Sequence, residues 1–213
     1  MKRGSPVVLA TGNAGKVREF NRLLAGAFHV LRLPSGVALP AETGLTFAEN
    51  ARLKAKAVFE SLGRGHTVLA DDSGLEVTAL GGKPGIYSAR FAGERATDAE
   101  NVAKLLAQLD GAADRSAQFV CALCLVAPEA GAEDWRCGRP AGAYRVLEVE
   151  GVTRGAITLA PRGLDGFGYD PVFEPAGWEF TLAEASPEDK DCVSHRGAAV
   201  RALLDCIDRP RGV

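Results

Sequence analysis

Short apolar runs and helix-spaced apolar stripes alternate along this chain. Residues 6–10 (PVVLA) read as a short buried strand, residues 11–15 as a turn, and a helix follows from about Lys16, where Val17, Phe20 and Leu24 recur at helical spacing. A second helix is predicted from near Thr46. Thr46 and Glu49 spell a capping box, and Phe47, Ala51, Ala55, Val58, Phe59 and Leu62 mark one apolar face. The next strand, residues 67–70, runs into DDSG at 71–74. A third helix follows Thr97, again boxed by Glu100, with the stripe Val102, Leu105, Leu106 and Leu109. Strands are then predicted over 118–126, about 144–150 and 156–159. A last helix starts near Ser194 and carries Val200, Leu203, Leu204 and Ile207. This order predicts an α/β protein with a mixed sheet, not strict βαβ repetition. No internal repeat, low-complexity tract or clear linker interrupts it, so residues 1–213 are expected to form one two-lobed unit.

Composition narrows the function classes. At 213 residues, 46% hydrophobic and 24% charged, the chain has enough apolar surface for a core, which argues against intrinsic disorder. The balance of 25 Lys+Arg against 27 Asp+Glu argues against a protein built for a nucleic-acid polymer. It leaves room for a single nucleotide, which needs only a local positive site. No apolar run approaches the ~20 residues of a membrane span, so no membrane partner is expected. The stretch 6–10 is too short for a signal peptide. Five cysteines, an odd count, point to reduced thiols and a cytoplasmic location. Cys121 and Cys124 match the C-x-x-C spelling, but inside a strand their sulfurs diverge, so a core role is expected.

Four segments can carry chemistry. In TGNAGK (11–16), a strand-to-helix turn offers free helix N–H groups to an anion. Lys16 adds a full charge, and Thr11 and Asn13 add polar contacts. It is neither a Walker loop nor G-x-G-x-x-G, and a plain tight turn with a surface Lys is the alternative. In ADDSG (70–74), Asp71 and Asp72 are costly to bury without a partner such as Mg²⁺, and one could act as a general base. An exposed Asx-turn is the competing possibility. Phe167, Gly168, Tyr169 and Asp170 offer an aromatic platform for a nucleobase, or else an aromatic turn that plugs the core. Finally, Ser194 is a good N-cap, which puts the cations His195 and Arg196 in a first helical turn, against the helix dipole, with Lys190 just before.

Taken together and in order, these blocks closely resemble the inosine/xanthosine triphosphate pyrophosphatase family. The matching segments are TGNAGK (11–16), ETGLTFAENARLKA (42–55), ADDSGLEV (70–77), LGGKPGIYSARFAG (80–93), FGYDPVF (167–173) and SHR (194–196). The resemblance implies Mg²⁺-dependent hydrolysis of ITP, dITP and XTP to the monophosphate and pyrophosphate. It further implies two α/β lobes around a long mixed sheet with a cleft between them, and a homodimer. By the same resemblance, Thr11, Gly12, Asn13, Ala14, Gly15 and Lys16 would hold the triphosphate. Asp72 would be the general base and approach the metal, Glu42 and Asp71 would complete the carboxylate shell, and Ser73 would contact substrate. Phe167 would stack on the purine with Gly168, Tyr169 and Asp170 lining the pocket, and Lys190, His195 and Arg196 would read the base edge. Two departures stand out: Leu164-Asp165 replaces small residues more usual before Gly166, and the stretch 128–142, with Trp135 and Cys137, is longer than usual. A pyrophosphatase for other nucleotides and a non-catalytic nucleotide sensor are the alternatives.

Overall fold

The computed structural model describes residues 4–129, 135 and 137–208. Seven strands form one mixed sheet in the order β2-β1-β3-β4-β6-β5, with β7 paired to β6. The strands are β1 (Ser5–Leu9), β2 (Phe28–Arg32), β3 (Val68–Val77), β4 (Ser116–Pro128), β5 (Arg139–Pro140), β6 (Tyr144–Ile157) and β7 (Phe173–Pro175). The helices are α1 (Ala14–Leu23), α2 (Phe47–Ser61), α3 (Asp98–Gln108), α4 (Pro187–Val193) and α5 (His195–Asp208). Strand β1 runs parallel to both β2 and β3, whereas β6 runs antiparallel to β5 and β7. The expected α/β class with a mixed sheet is therefore borne out.

The caps behave as the sequence pattern requires. Thr97 Oγ1 accepts from Glu100 N–H while the Glu100 carboxylate accepts from Thr97 N–H, a complete box worth ~1 kcal/mol. In α2 the box is only half closed. Thr46 Oγ1 accepts from Glu49 N–H, but the Glu49 carboxylate reaches one residue further back, to Leu45 N–H at 2.7 Å. Ser194 Oγ accepts from Gly197 N–H, confirming it as the cap of α5.

The chain divides into two compact units. The first comprises residues 1–72, 121–151 and 199–213, and the second comprises 73–120 and 152–198, so β3, β4 and β6 each contribute to both. The first unit packs Val7, Leu9, Phe20, Leu69, Leu125 and Leu203 into one core. Trp135 is fully buried in that core, and residues 130–134 and 136 of the 128–142 stretch lie outside the described residues. The second unit packs Leu75, Val102, Leu105, Phe119, Val172 and Phe173. Cys121 and Cys124 are both buried in β4, which is covered on both faces. No described helix is long and apolar enough to cross a membrane.

Four features differ from the sequence pattern. Strand β2 has only one buried residue among FHVLR, the weak signature of a sheet edge. The two strands expected over 144–150 and 156–159 are one strand, β6, whose interior glycines mask its continuity. One of them, Gly155, has no room for a Cβ against the Glu174 carbonyl of β7. Strand β7 and the seven-residue α4 are too short for periodicity to reveal, although Ser186 and Pro187 are a good N-cap and first helical residue.

Candidate active site

Strands β1 and β3 are parallel neighbours, with Leu9 opposite Leu69, so both deliver their next residues at the same edge of the first unit. Ligands of open α/β sheets gather at such carboxyl ends. After β1, Thr11 Oγ1 accepts from Asn13 N–H at 3.2 Å, and Asn13 Oδ1 caps α1 by accepting from Lys16 N–H at 3.1 Å. Gly12, Asn13 and Ala14 are exposed, Gly15 is buried, and a Cβ at Gly12 would meet nothing. The Lys16 ammonium is not a loose surface charge. It lies 2.7 Å from Asp71 Oδ2, whose side chain is fully buried.

The Asx-turn alternative for DDSG does not hold: β3 runs unbroken from Val68 to Val77. Its alternation sends Asp71 and Asp72 to opposite faces. Asp71 meets Lys16, and Asp72 meets α2. Asp72 Oδ1 accepts from Lys54 Nζ at 2.9 Å and its Oδ2 from Asn50 Nδ2 at 3.2 Å. Lys54 Nζ also donates to Glu42 at 2.8 Å, and Asn50 Oδ1 accepts from Gly44 N–H at 2.8 Å. Glu42 and Asp72 thus converge on one point. Asp71, the third carboxylate expected there, is paired with Lys16. Among the described residues no group of three or more His, Cys, Asp or Glu gathers around one metal position.

Burial lowers Lys54, but the charges of Asp71, Asp72 and Glu42 outweigh it and hold the ammonium above its usual range. Burial pushes the Asp72 carboxyl up, and Glu42 adds to this, against the pull of Lys54 and Lys16. The rise of Lys54 reports the carboxylates gathered around its ammonium, whereas the rise of Asp72 reports chiefly its burial.

In the second unit, Phe167 is half-buried beneath two cations: Lys190 Nζ lies 5.2 Å and the Arg196 guanidinium 4.9 Å from its ring centroid. Lys190 also donates to Asp170 Oδ2 at 2.7 Å, both groups being buried. The same carboxylate oxygen accepts from Phe167 N–H at 2.8 Å. Arg196 Nη2 donates to Ser73 Oγ at 2.8 Å. Tyr169 is the aromatic that plugs the core. It is buried with Val172 and Phe173, and its hydroxyl donates to the Ser88 carbonyl at 2.9 Å, so it does not line an open pocket. His195 lies flat on Phe119, with ring centroids 4.6 Å apart and 1% exposure. Leu164 is exposed.

The profile described as the Ham1 family matches residues 7–206. The chain belongs to the Ham1 family. A dITP/XTP pyrophosphatase of Gloeobacter violaceus is 47% identical over 95% of this chain and 94% of its own length. One from Geobacillus kaustophilus is 48% identical over 92% of this chain and 91% of its own. The Ham1 protein of Staphylococcus aureus superposes with a TM-score of 0.80 at 38% identity, over 96% of this chain and 98% of that one.

In this Ham1 chain the residues that sequence inspection missed are Asn50 and Lys54. Their signal was present. They stand four apart within the stripe Phe47, Ala51, Ala55 and Val58, so helical geometry puts an amide and an ammonium among buried apolar positions. A Lys at such a position requires buried acidic partners.

Proposed function

We propose that this chain is a nucleoside triphosphate pyrophosphatase that converts dITP, ITP and XTP to the monophosphate and pyrophosphate, clearing them from the cytoplasmic nucleotide pool. The observation that carries this reading is a division of labour at two consecutive residues of β3. Asp72 is held by Lys54 and Asn50 among the charge-handling groups, and Ser73 accepts from Arg196 among the base-reading groups.

Glu42 and Asp72 are hard oxygen donors in a region with surplus negative charge. They fit Mg²⁺ bound by two carboxylates and completed by substrate phosphate oxygens. Bound there, the ion would neutralise charge on the phosphates. Asp72 takes a proton from a water whose oxygen attacks the α-phosphorus, and the bond to the pyrophosphate oxygen breaks. Lys16 and the free N–H groups of α1 stabilise the leaving pyrophosphate. Phe167 stacks on the purine, worth ~1–3 kcal/mol. Lys190 and Arg196 can only donate, so they donate to the 6-oxo oxygen of hypoxanthine or xanthine and meet the adenine amine donor to donor. A homodimer is expected and is tested by light scattering in solution.

The deciding measurement is pyrophosphate release with Mg²⁺ from dITP and XTP against dGTP, dATP and dTTP. A preference of a hundredfold, ~2.7 kcal/mol of transition-state discrimination, is the expected result. Release of orthophosphate would overturn the mechanism, and binding without turnover would make the chain a nucleotide sensor.

A further inference from the structure

The loop that carries Phe167 has little stiffness of its own. Gly166 and Gly168, on either side of the ring, both adopt left-handed backbone, with φ of +81° and +63°. Such a loop can swing its aromatic ring unless hydrogen bonds fix its peptide planes. Two carboxylates do so on consecutive amides. Phe167 N–H donates to Asp170, the buried partner of Lys190. Gly168 N–H donates to Asp98 Oδ2 at 2.7 Å, across 70 residues of sequence. Asp98 is the first residue of α3, and the complete Thr97–Glu100 capping box fixes that first turn. The cap therefore sets the direction of Asp98, and Asp98 sets the Gly168 peptide beside the ring.

We propose that Asp98 is a positioning residue for base recognition, holding Phe167 in its stacking orientation through the Gly168 amide. The proposal rests on the reading of Phe167 as the base platform. Asp98 itself touches neither the cations over the ring nor the Asp72 cluster in any contact described above, so its loss should fall on substrate affinity and not on the chemical step. The bond is charge-assisted but exposed. Asp98→Ala is therefore expected to raise KM for dITP about fivefold with kcat little changed.

The experiment compares KM, kcat and Tm for four single variants and one double. Asp98→Asn keeps an acceptor oxygen and should restore KM. Thr97→Ala loosens the cap without removing the Asp98 carboxylate, so it should lower Tm and raise KM clearly less than Asp98→Ala does. Phe167→Ala should raise KM more than Asp98→Ala does, and adding Asp98→Ala to it should raise KM no further. That pattern supports the proposal. A KM for Asp98→Ala that matches the parent or merely tracks Thr97→Ala, while Phe167→Ala remains impaired, would overturn it and leave the base platform standing. A double variant showing the full product of both effects would also overturn it. An unimpaired Phe167→Ala would overturn the base platform, and the proposal with it.

Discussion

Lys54 places its ammonium 2.9 Å from Asp72 Oδ1, and both residues are buried. The same ammonium serves Glu42, so it is the local counter-charge for two carboxylates. Removing one partner of a buried ionic cluster costs ~3–5 kcal/mol, because the remaining charges are stranded. Lys54→Met should therefore lower Tm sharply. It should also make the protein more dependent on a divalent cation, since Mg²⁺ would then be the only cation between Glu42 and Asp72. Thermal unfolding with and without Mg²⁺ measures this. An Mg²⁺ response no larger than that of the parent would remove Glu42 and Asp72 from the metal site.

Asp72→Asn keeps the size and one acceptor of the side chain but cannot take a proton. Most of kcat should be lost, while nucleotide affinity stays within about tenfold. Unchanged turnover would exclude Asp72 as the base.

The pH dependence follows from the environment of the same carboxyl. Burial, reinforced by Glu42, raises Asp72 above the ordinary carboxylate value of ~3.9. A general base works only when deprotonated. Activity should therefore fall as pH drops through the raised value, at a higher pH than a solvated carboxylate would give. The acid limb of kcat/KM reports the free enzyme and is the profile to record. An acid limb in the ordinary carboxylate range would contradict the assignment.

Much of this arrangement is legible in sequence where two independent signals coincide. Thr97 with Glu100 gives a cap and an apolar stripe at once, and α3 is where both place it. The Asp-Asp pair is ambiguous by itself, because turn chemistry and buried carboxylates are spelled alike. What decides it is the ammonium partners, which lie on other elements: Lys16 on α1 and Lys54 on α2. Tyr169 and Phe167 differ by two positions and look equivalent. Only packing sends one into the core against Ser88 and leaves the other half-buried under Lys190 and Arg196. The continuity of β6 is hidden by its glycines, of which Gly155 is required by the close approach of β7.

That close approach is testable. A Cβ at Gly155 would overlap the Glu174 carbonyl, a backbone atom that cannot rotate away. Gly155→Ala must therefore push β6 from β7, and overpacking of this kind costs ~1–3 kcal/mol. Gly65→Ala is the matched control, since its Cβ would meet nothing within 4 Å. Chemical denaturation should show a lower midpoint for the first variant and little change for the second.

In the proposed reading, base discrimination turns on Arg196. Its Nη2 is fixed by Ser73 Oγ at 2.8 Å, and its guanidinium lies over Phe167. A planar fork held at one corner leaves its other donors aimed in a set direction, which a flexible ammonium cannot reproduce. Arg196→Met removes the donors that a 6-oxo group would satisfy and an adenine amine would oppose. The dITP preference over dATP should fall at least tenfold, ~1.4 kcal/mol, with the loss borne mainly by dITP. Arg196→Lys restores the charge but not the fork, so it should recover only part of the preference. Ser73→Ala keeps Arg196 and releases its anchor. It should reduce discrimination less than Arg196→Met and have almost no effect in the Arg196→Met background. Values of kcat/KM for dITP and dATP in the four proteins close the cycle. Additive losses from Ser73 and Arg196 would mean that the two residues act on the substrate independently, and that the bond between them does not orient the guanidinium for the base.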